Sequence, residues 1–230
     1  MGKENFINKT TLRFLKELSL NNNRDWFNGH KENYLKAQEN MCDLADSLIF
    51  EIKKHDALEN ESGKKSLYRI YNDVRFSKDK SPYNPRFAFS FRRATKLNRG
   101  GYYVNIKPGN SFMACGFFAP NPEDLKRIRA DIDKNYAEWN KLLNSKSIKE
   151  NFGKITGMQV STAPRGFSVD HPAIELLRHK QFILRHNFTD KEILSDHFIK
   201  DLNHIFKSVR PYFNYMSEVL ITDLNGELIV

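Results

Sequence analysis

The chain has 230 residues, of which 40% are hydrophobic and 13% aromatic, so it carries enough apolar side chains for a well-packed core. Its 11 Gly and 8 Pro are scattered, which excludes collagen-like, low-complexity and wholly disordered chains. No stretch reaches the ~18 consecutive apolar residues of a membrane-spanning helix, and the first residues lack the apolar core of a signal peptide. Two Cys cannot build a disulfide framework. We therefore expect a cytoplasmic protein that has no membrane partner.

The amino-terminal part of the chain is predicted to be helical. Thr10 or Thr11 can cap a first helix, which ends near Asn21. A long amphipathic helix is predicted from about Lys31 to Lys54, because its apolar residues recur at helical spacing. A polar surface loop follows this helix.

Runs with the alternating pattern of strands come next. Alternation and turn residues predict strands over 67–76, 86–93, 102–107, 111–118 and 181–186. The first four runs are joined by short connections, which favour an antiparallel meander. The predicted fold is α+β, with an antiparallel meander sheet of four to six strands flanked by amino- and carboxy-terminal helices.

The later helices are predicted from their capping residues. Their starts are expected at Asn121-Pro122, at Asp170 and at the capping box Thr189–Glu192. The helix that begins at the capping box is predicted to run to Val209, where Pro211 breaks it, and a last helical segment is predicted over Tyr212–Leu220. Neither an internal repeat nor a linker interrupts the chain. We therefore predict one α+β domain over 1–230.

The positive charge is concentrated in one stretch of the chain. The formal net charge is +9. Residues 64–107 hold 12 Lys or Arg and two acids, a balance of +10, so the rest of the chain is close to neutral. This concentration predicts a segment that meets an anionic ligand. The alternative is that these cations keep a sheet soluble and protect its edges.

The run RIYNDVRFSKDKSPY carries the densest chemistry in this stretch. On a strand, Arg69, Asp73 and Arg75 would share one face. Two guanidinium groups beside one carboxylate leave a positive charge whose planar donors suit phosphate or carboxylate. A purely structural Arg–Asp–Arg network is the alternative.

Further groups could complete an anion site. The turn after the strand adds two ammonium groups, and Arg165 lies on a Gly-containing loop just before a predicted helix start, where backbone donors favour anions. Either Asp73 or His171 could handle protons; a structural role at a capped helix is the alternative for His171. The predicted anion-binding residues are Arg69, Arg75, Lys78, Lys80 and Arg165.

The same run resembles the signature of an uncharacterised bacterial and fungal family, domain-of-unknown-function family 2461. Three other segments are similar to that family's pattern: FLKELSLNNNRDWF from Phe14, YYVNIKPGNSFMACGFFAP from Tyr102 and PRGFSVDHPAIELLRHK from Pro164. The resemblance implies a single-domain cytosolic protein with no established activity, substrate or cofactor. Cys115-Gly116 departs from the more glycine-rich pair expected there, which puts a close backbone approach at that point in doubt.

The favoured function is a binding domain with a cationic pocket for a phosphorylated or carboxylated small molecule. The second hypothesis is nucleic-acid binding by a basic hairpin tip, because Arg92, Arg93, Lys96 and Arg99 lie close together. The third is a structural or interaction protein with no small ligand. The chain has no paired-Cys zinc spacing, P-loop, dinucleotide fingerprint or nucleophile elbow. The sequence thus predicts no metal and no cofactor, and it assigns neither a reaction nor an oligomeric state.

Overall fold

The computed structural model describes residues 6–223 and 226–229. Within these residues the helices are Lys9–Leu20 (α1), Arg24–Gly29 (α2), Lys31–Ile52 (α3), Gly63–Ser66 (α4), Pro122–Lys134 (α5), Tyr136–Leu143 (α6), Lys146–Phe152 (α7), Ile174–Leu177 (α8), Asp190–Ile193 (α9), Phe198–Ser208 (α10) and Arg210–Ile221 (α11). The strands are Phe87–Arg92 (β1), Gly101–Ile106 (β2), Ser111–Phe117 (β3) and Phe182–Phe188 (β4). They form one antiparallel sheet in the order β1-β2-β3-β4. The predicted α+β fold with a meander sheet is confirmed.

The chain divides into two compact units that are discontinuous in sequence. The first contains the described residues up to Phe91, residues 103–113 and residues 187–204. The second contains residues 92–102, residues 114–186 and the described residues from 205 onward. Each strand contributes residues to both units. That the chain is a single domain stays a prediction.

Helices and parts of the sheet build the core of the first unit. α3 packs against α1 and α4, and Gly63 allows the second contact, because a Cβ at this residue would lie 2.2 Å from the Cys42 carbonyl oxygen. Phe27 stacks on Tyr83 with ring centroids 3.9 Å apart. The alternate residues Phe87, Phe89 and Phe91 of β1 are all buried. The opposite face of β1 is therefore the one that can carry polar groups.

Aromatic side chains fill the core of the second unit. Trp139, Tyr212 and Phe213 are fully buried, and the Tyr212 hydroxyl donates to the Phe182 carbonyl oxygen at 3.0 Å. A Cβ at Gly116 would lie 2.1 Å from the same oxygen, and this glycine has a φ of 134°. β3 and β4 thus approach each other closely at Gly116 although a Cys precedes it.

Two predicted helix starts are confirmed by their caps. The Asn121 side chain accepts the backbone N–H of Asp124 at 2.8 Å, with Pro122 in the first turn. At α9, the Thr189 hydroxyl accepts the backbone N–H of Glu192 at 3.2 Å, and the Glu192 carboxylate accepts that of Thr189 at 2.7 Å. Both caps satisfy N–H groups that have no acceptor within the helix.

The expected strand over 67–76 is wrong as a continuous element. Only isolated antiparallel bridges occur there in the described chain, Leu67 with Phe89 and Tyr71 with Tyr83. The partner segment cannot complete a ladder, because Pro82 has no N–H and the N–H of Tyr83 is donated to the Asn22 side chain at 3.1 Å.

The carboxy-terminal helices also differ from the prediction. The helix that begins at the capping box ends at Ile193, and the Ser195 hydroxyl accepts the His197 N–H at 3.2 Å before α10 begins. This side-chain acceptor competes with continuation of the helix. Pro211 lies in the first turn of α11, where its missing N–H costs nothing. Asp170 caps no helix, because α8 begins after Ala173.

Candidate anion-binding face

The predicted cationic loop is exposed, and its central arginine already has a counterion. Arg75 donates from Nε and Nη2 to the two carboxylate oxygens of Asp73, at 3.0 and 2.7 Å. These hydrogen bonds, together with the charge of Arg69, lower the pKa of Asp73. Asp73 is therefore an ionised partner of Arg75, an arrangement that makes it a poor proton donor or acceptor near neutral pH.

The other cations of the loop are exposed as well. Arg69 and Lys78 are exposed, and neither has a hydrogen bond to a described residue. Lys80 donates from Nζ to the Val74 carbonyl oxygen at 2.9 Å. Phe76 of the same loop is 94% exposed. This loop presents charge to the solvent and does not itself enclose a ligand.

The second predicted cluster lies in the second unit. His171 accepts the N–H of Ala173 on Nδ1 at 3.0 Å, so its Nε2–H donates to the Asp133 carboxylate at 2.9 Å. Both ring nitrogens are engaged at the start of α8, which favours the structural role. Arg165 is exposed and makes no hydrogen bond or ion pair with the described residues. Its convergence with the cations of the first unit stays a prediction.

The hairpin tip is less cationic at its surface than the sequence suggested. Arg93 is only 3% exposed; it donates to the Arg99 carbonyl oxygen at 2.8 Å and lies over the Phe213 ring at 4.9 Å. Arg99 forms an ion pair with buried Asp124. Arg92 and Lys96 are the exposed cations of this tip. Two of the four cations predicted to bind nucleic acid, Arg93 and Arg99, thus make contacts inside the protein. Nucleic-acid binding through the tip stays a prediction.

A different arginine has the surroundings of an anion site. Arg86 directly precedes β1 and is half-buried. Its Nη1 donates to the Tyr103 hydroxyl oxygen and, at 3.0 Å, to the Asn105 side-chain oxygen. Asn105 is 2% exposed and is held in turn by a hydrogen bond from its amide nitrogen to the Asn110 carbonyl oxygen at 3.1 Å. The guanidinium orientation is thus fixed by the sheet.

Both acceptors of Arg86 are neutral. Among the described residues, no carboxylate lies within 4 Å of this guanidinium, and its Nε and Nη2 donate to no protein atom. These two nitrogens are also not sealed from solvent, unlike Nε of Arg178 or Nη1 of Arg210. Two donors of one planar guanidinium therefore stay open for an outside acceptor, which is the arrangement that binds phosphate and carboxylate in a bidentate manner.

The surrounding sequence supports a positive potential at this place. No Asp or Glu occurs between Lys80 and Pro122, a segment that includes β1, β2 and β3. The charge of Arg86 is consequently not reduced by an acidic neighbour along the strands that hold it.

Aromatic side chains border the guanidinium. The Tyr103 ring, whose hydroxyl accepts from Arg86, lies 5.9 Å from Phe112 and 6.1 Å from Tyr68 between centroids. Tyr68 is 53% exposed, and its hydroxyl reaches the Ser90 hydroxyl at 3.4 Å. We call this surface the Arg86 face; it consists of Tyr68, Arg86, Ser90, Tyr103, Asn105 and Phe112, all in the first unit.

Sequence reasoning missed the Arg86 face although a signal for it existed. Alternation along β1 places Arg86 and Ser90 opposite the buried phenylalanines, and alternation along β2 places Tyr103 and Asn105 on one face. The sequence could not show that these two faces coincide, nor that the acceptors of Arg86 are neutral.

The comparison with known proteins gives a family and nothing more specific. The model of a family described as "Conserved hypothetical protein (DUF2461)" matches residues 10–215. The chain belongs to this family. No curated protein and no solved structure matches the chain.

The described residues of this DUF2461 member show neither a metal-binding cluster nor a membrane-spanning helix. No group of three His, Cys, Asp or Glu side chains is arranged there to hold a metal ion. None of its helices in the described part has the length and apolar character that crossing a bilayer requires.

Proposed function

We propose that this DUF2461 protein binds a small anionic molecule through the Arg86 face, with Arg86 as the anchor for a phosphate or carboxylate group. The observation that carries the proposal is the pairing of a half-buried guanidinium with neutral oxygens only, Tyr103 Oη and Asn105 Oδ1. A charge withdrawn from water without a counterion is unfavourable. An anion that completes the coordination of Arg86 would remove this cost.

The predicted loop residues enter this proposal in a supporting role. Arg69, Lys78 and Lys80 are exposed cations of the same unit, so they raise the local concentration of anions by long-range attraction, which salt screens. Arg75 contributes less, because Asp73 neutralises it. Arg165 stays a candidate that belongs to the second unit.

The test is anion-dependent stabilisation measured on two charge-matched variants. Thermal unfolding of the wild type is followed in inorganic phosphate, sulfate and succinate, with chloride added to hold the ionic strength at about 0.15 M. Arg86→Gln and Arg75→Gln each remove one positive charge. We expect the wild type and Arg75→Gln to be stabilised by a common anion, and Arg86→Gln to lose that stabilisation.

The two variants also separate the ways in which the proposal can be wrong. Equal loss in both variants would mean that only net charge matters. Loss confined to Arg75→Gln would place the anion on the loop predicted from the sequence. Absence of stabilisation by all three anions in the wild type would contradict a small-anion function.

A further inference from the structure

We infer that the anion bound at the Arg86 face is a phosphate ester that carries a planar aromatic ring, of the nucleoside monophosphate class, with the ring stacked on Tyr68. This inference rests on the proposed function, because it assigns the phosphate to Arg86. It adds the aromatic ring of the ligand, which the charge of the guanidinium cannot specify.

Tyr68 has the features of a stacking platform. More than half of its surface is exposed, at 53%, although it lies in a segment bridged to β1 through Leu67 and Phe89. The backbone N–H of Tyr68 donates to the Ala88 carbonyl oxygen at 2.8 Å. A large aromatic ring is thus held on a fixed backbone while its side chain stays open to water, and such rings bind the faces of planar ligands.

The ring and the guanidinium are connected through one side chain. Tyr103 accepts a hydrogen bond from Arg86 on its hydroxyl and meets the Tyr68 ring edge-to-face, with an interplanar angle of 64°. The polar anchor and the exposed aromatic ring are therefore both neighbours of Tyr103. A ligand that satisfies both needs an anionic group and a planar ring joined by a linker.

The chemistry of the face favours this class over a simple carboxylate. Arg86 presents two open donors, which match the several oxygens of a phosphate monoester. The Ser90 hydroxyl and the hydroxyl of Tyr68 lie 3.4 Å apart beside the ring and can bond to the polar edge of a linker such as a ribose. A simple carboxylate such as succinate would leave Tyr68 uncovered.

Four ligands separate the two halves of the inferred molecule. Calorimetric titration compares adenosine 5′-monophosphate, ribose 5-phosphate, adenosine and inorganic phosphate. We expect adenosine 5′-monophosphate to bind roughly tenfold or more tightly than ribose 5-phosphate, because stacking of one base is worth about one order of magnitude in affinity.

Two substitutions of Tyr68 locate the stacking contact. Tyr68→Leu keeps an apolar side chain but removes the ring, and it should lower the affinity for adenosine 5′-monophosphate to that for ribose 5-phosphate. Tyr68→Phe keeps the ring and loses only the hydroxyl contact with Ser90, so it should retain most of the preference. Circular dichroism and the urea midpoint of both variants verify that they fold.

Each outcome bears on one of the two claims. Equal affinity for adenosine 5′-monophosphate and ribose 5-phosphate would overturn the inference and leave the anion site standing. Equal weakening of both ligands by Tyr68→Leu would overturn it as well, because Tyr68 would then act through the structure and not through the ring. If none of the phosphates binds, this inference fails, and the proposed function fails with it unless succinate stabilises the wild type through Arg86.

Discussion

Arg86 and Arg99 are two arginines of the same cationic stretch with opposite surroundings. Arg99 donates to Asp124, whose side chain is 5% exposed, and its backbone N–H donates to the Ser217 hydroxyl at 3.0 Å. Arg86 donates to neutral oxygens and keeps two open nitrogens. A guanidinium that has a buried carboxylate is committed to the fold, whereas one with neutral acceptors can take up an anion from outside. Whether the acceptor is charged or neutral thus indicates which cations of this stretch can bind an external anion, whereas the number of cations does not.

The largest change in stability that we expect is for removal of the Arg99 guanidinium, compared with removal of the Arg86 guanidinium. Arg99→Met should cost about 2 to 3 kcal/mol of unfolding free energy, because it removes the nearer of the two guanidinium groups paired with the buried Asp124 carboxylate and leaves only Arg127, at 3.7 Å. Arg86→Met should cost only about 1 to 2 kcal/mol, since it removes one hydrogen bond from each of two neutral oxygens. Urea unfolding of both variants at neutral pH measures the difference. Equal losses would show that the two environments are energetically alike.

Alkaline pH tests a tyrosine in the closed interior of the unit that carries the Arg86 face. Tyr34 is 6% exposed and accepts a hydrogen bond from Gln38 at 2.8 Å. Burial, with smaller contributions from Tyr71 and Cys42, raises the pKa of Tyr34 from 10.0 to about 12. The neutral phenol therefore stabilises the fold fully below pH 10, and that stability is lost as the pH rises toward 12.

The expected loss between these two pH values is about 2 to 3 kcal/mol for Tyr34. Tyr34→Phe removes the ionising group, so its unfolding free energy should fall less steeply over this range than that of the wild type. Urea unfolding at pH values on either side of 10 gives the slope of the unfolding free energy against pH for the wild type and for Tyr34→Phe. An unchanged slope in Tyr34→Phe would mean that other groups cause the alkaline loss.

The smallest effect on stability should come from giving Arg86 a carboxylate acceptor, as Arg99 has in Asp124. Asn105→Asp replaces a neutral acceptor of Arg86 by a carboxylate of the same shape. The stronger charge-assisted bond to Arg86 offsets the loss of the bond to the Asn110 carbonyl oxygen and the repulsion between that oxygen and the new carboxylate, so we expect a net change within about 1 kcal/mol. Phosphate affinity should nevertheless fall about tenfold or more, because the new carboxylate neutralises the anchor. Unaltered phosphate titration in this variant would contradict the role assigned to Arg86.

The sequence predicted those helices and strands that are determined by residues close together in the chain. Alternation identified β1 through Phe87, Phe89 and Phe91, and the cap at Asn121 located the start of α5. In these places the pattern and the structure depend on the same few neighbouring residues. The strand expected over 67–76 failed because its outcome depended on a partner segment in which Pro82 supplies no N–H.

The candidate site was harder to predict than the fold because pairing between distant side chains decides it. Asp124 lies 25 positions from Arg99, and no periodicity connects them. Asp73 is only two positions from Arg75, yet alternation could not show that its carboxylate would neutralise that guanidinium. The stretch that carries the charge was correctly located in the sequence; which of its cations keep open donors is decided by three-dimensional contacts.

The loop that carries Phe76 has a practical consequence for work on this protein. Below its tip, Asn72 donates from its backbone to Pro82 at 2.9 Å and from its side chain to the Ser81 carbonyl oxygen at 2.9 Å. These bonds close the loop independently of the residues at its end. The tip is therefore a suitable place to insert an epitope tag or attach a fluorophore, because the inserted residues would extend into solvent while the closing contacts hold the two segments on either side together.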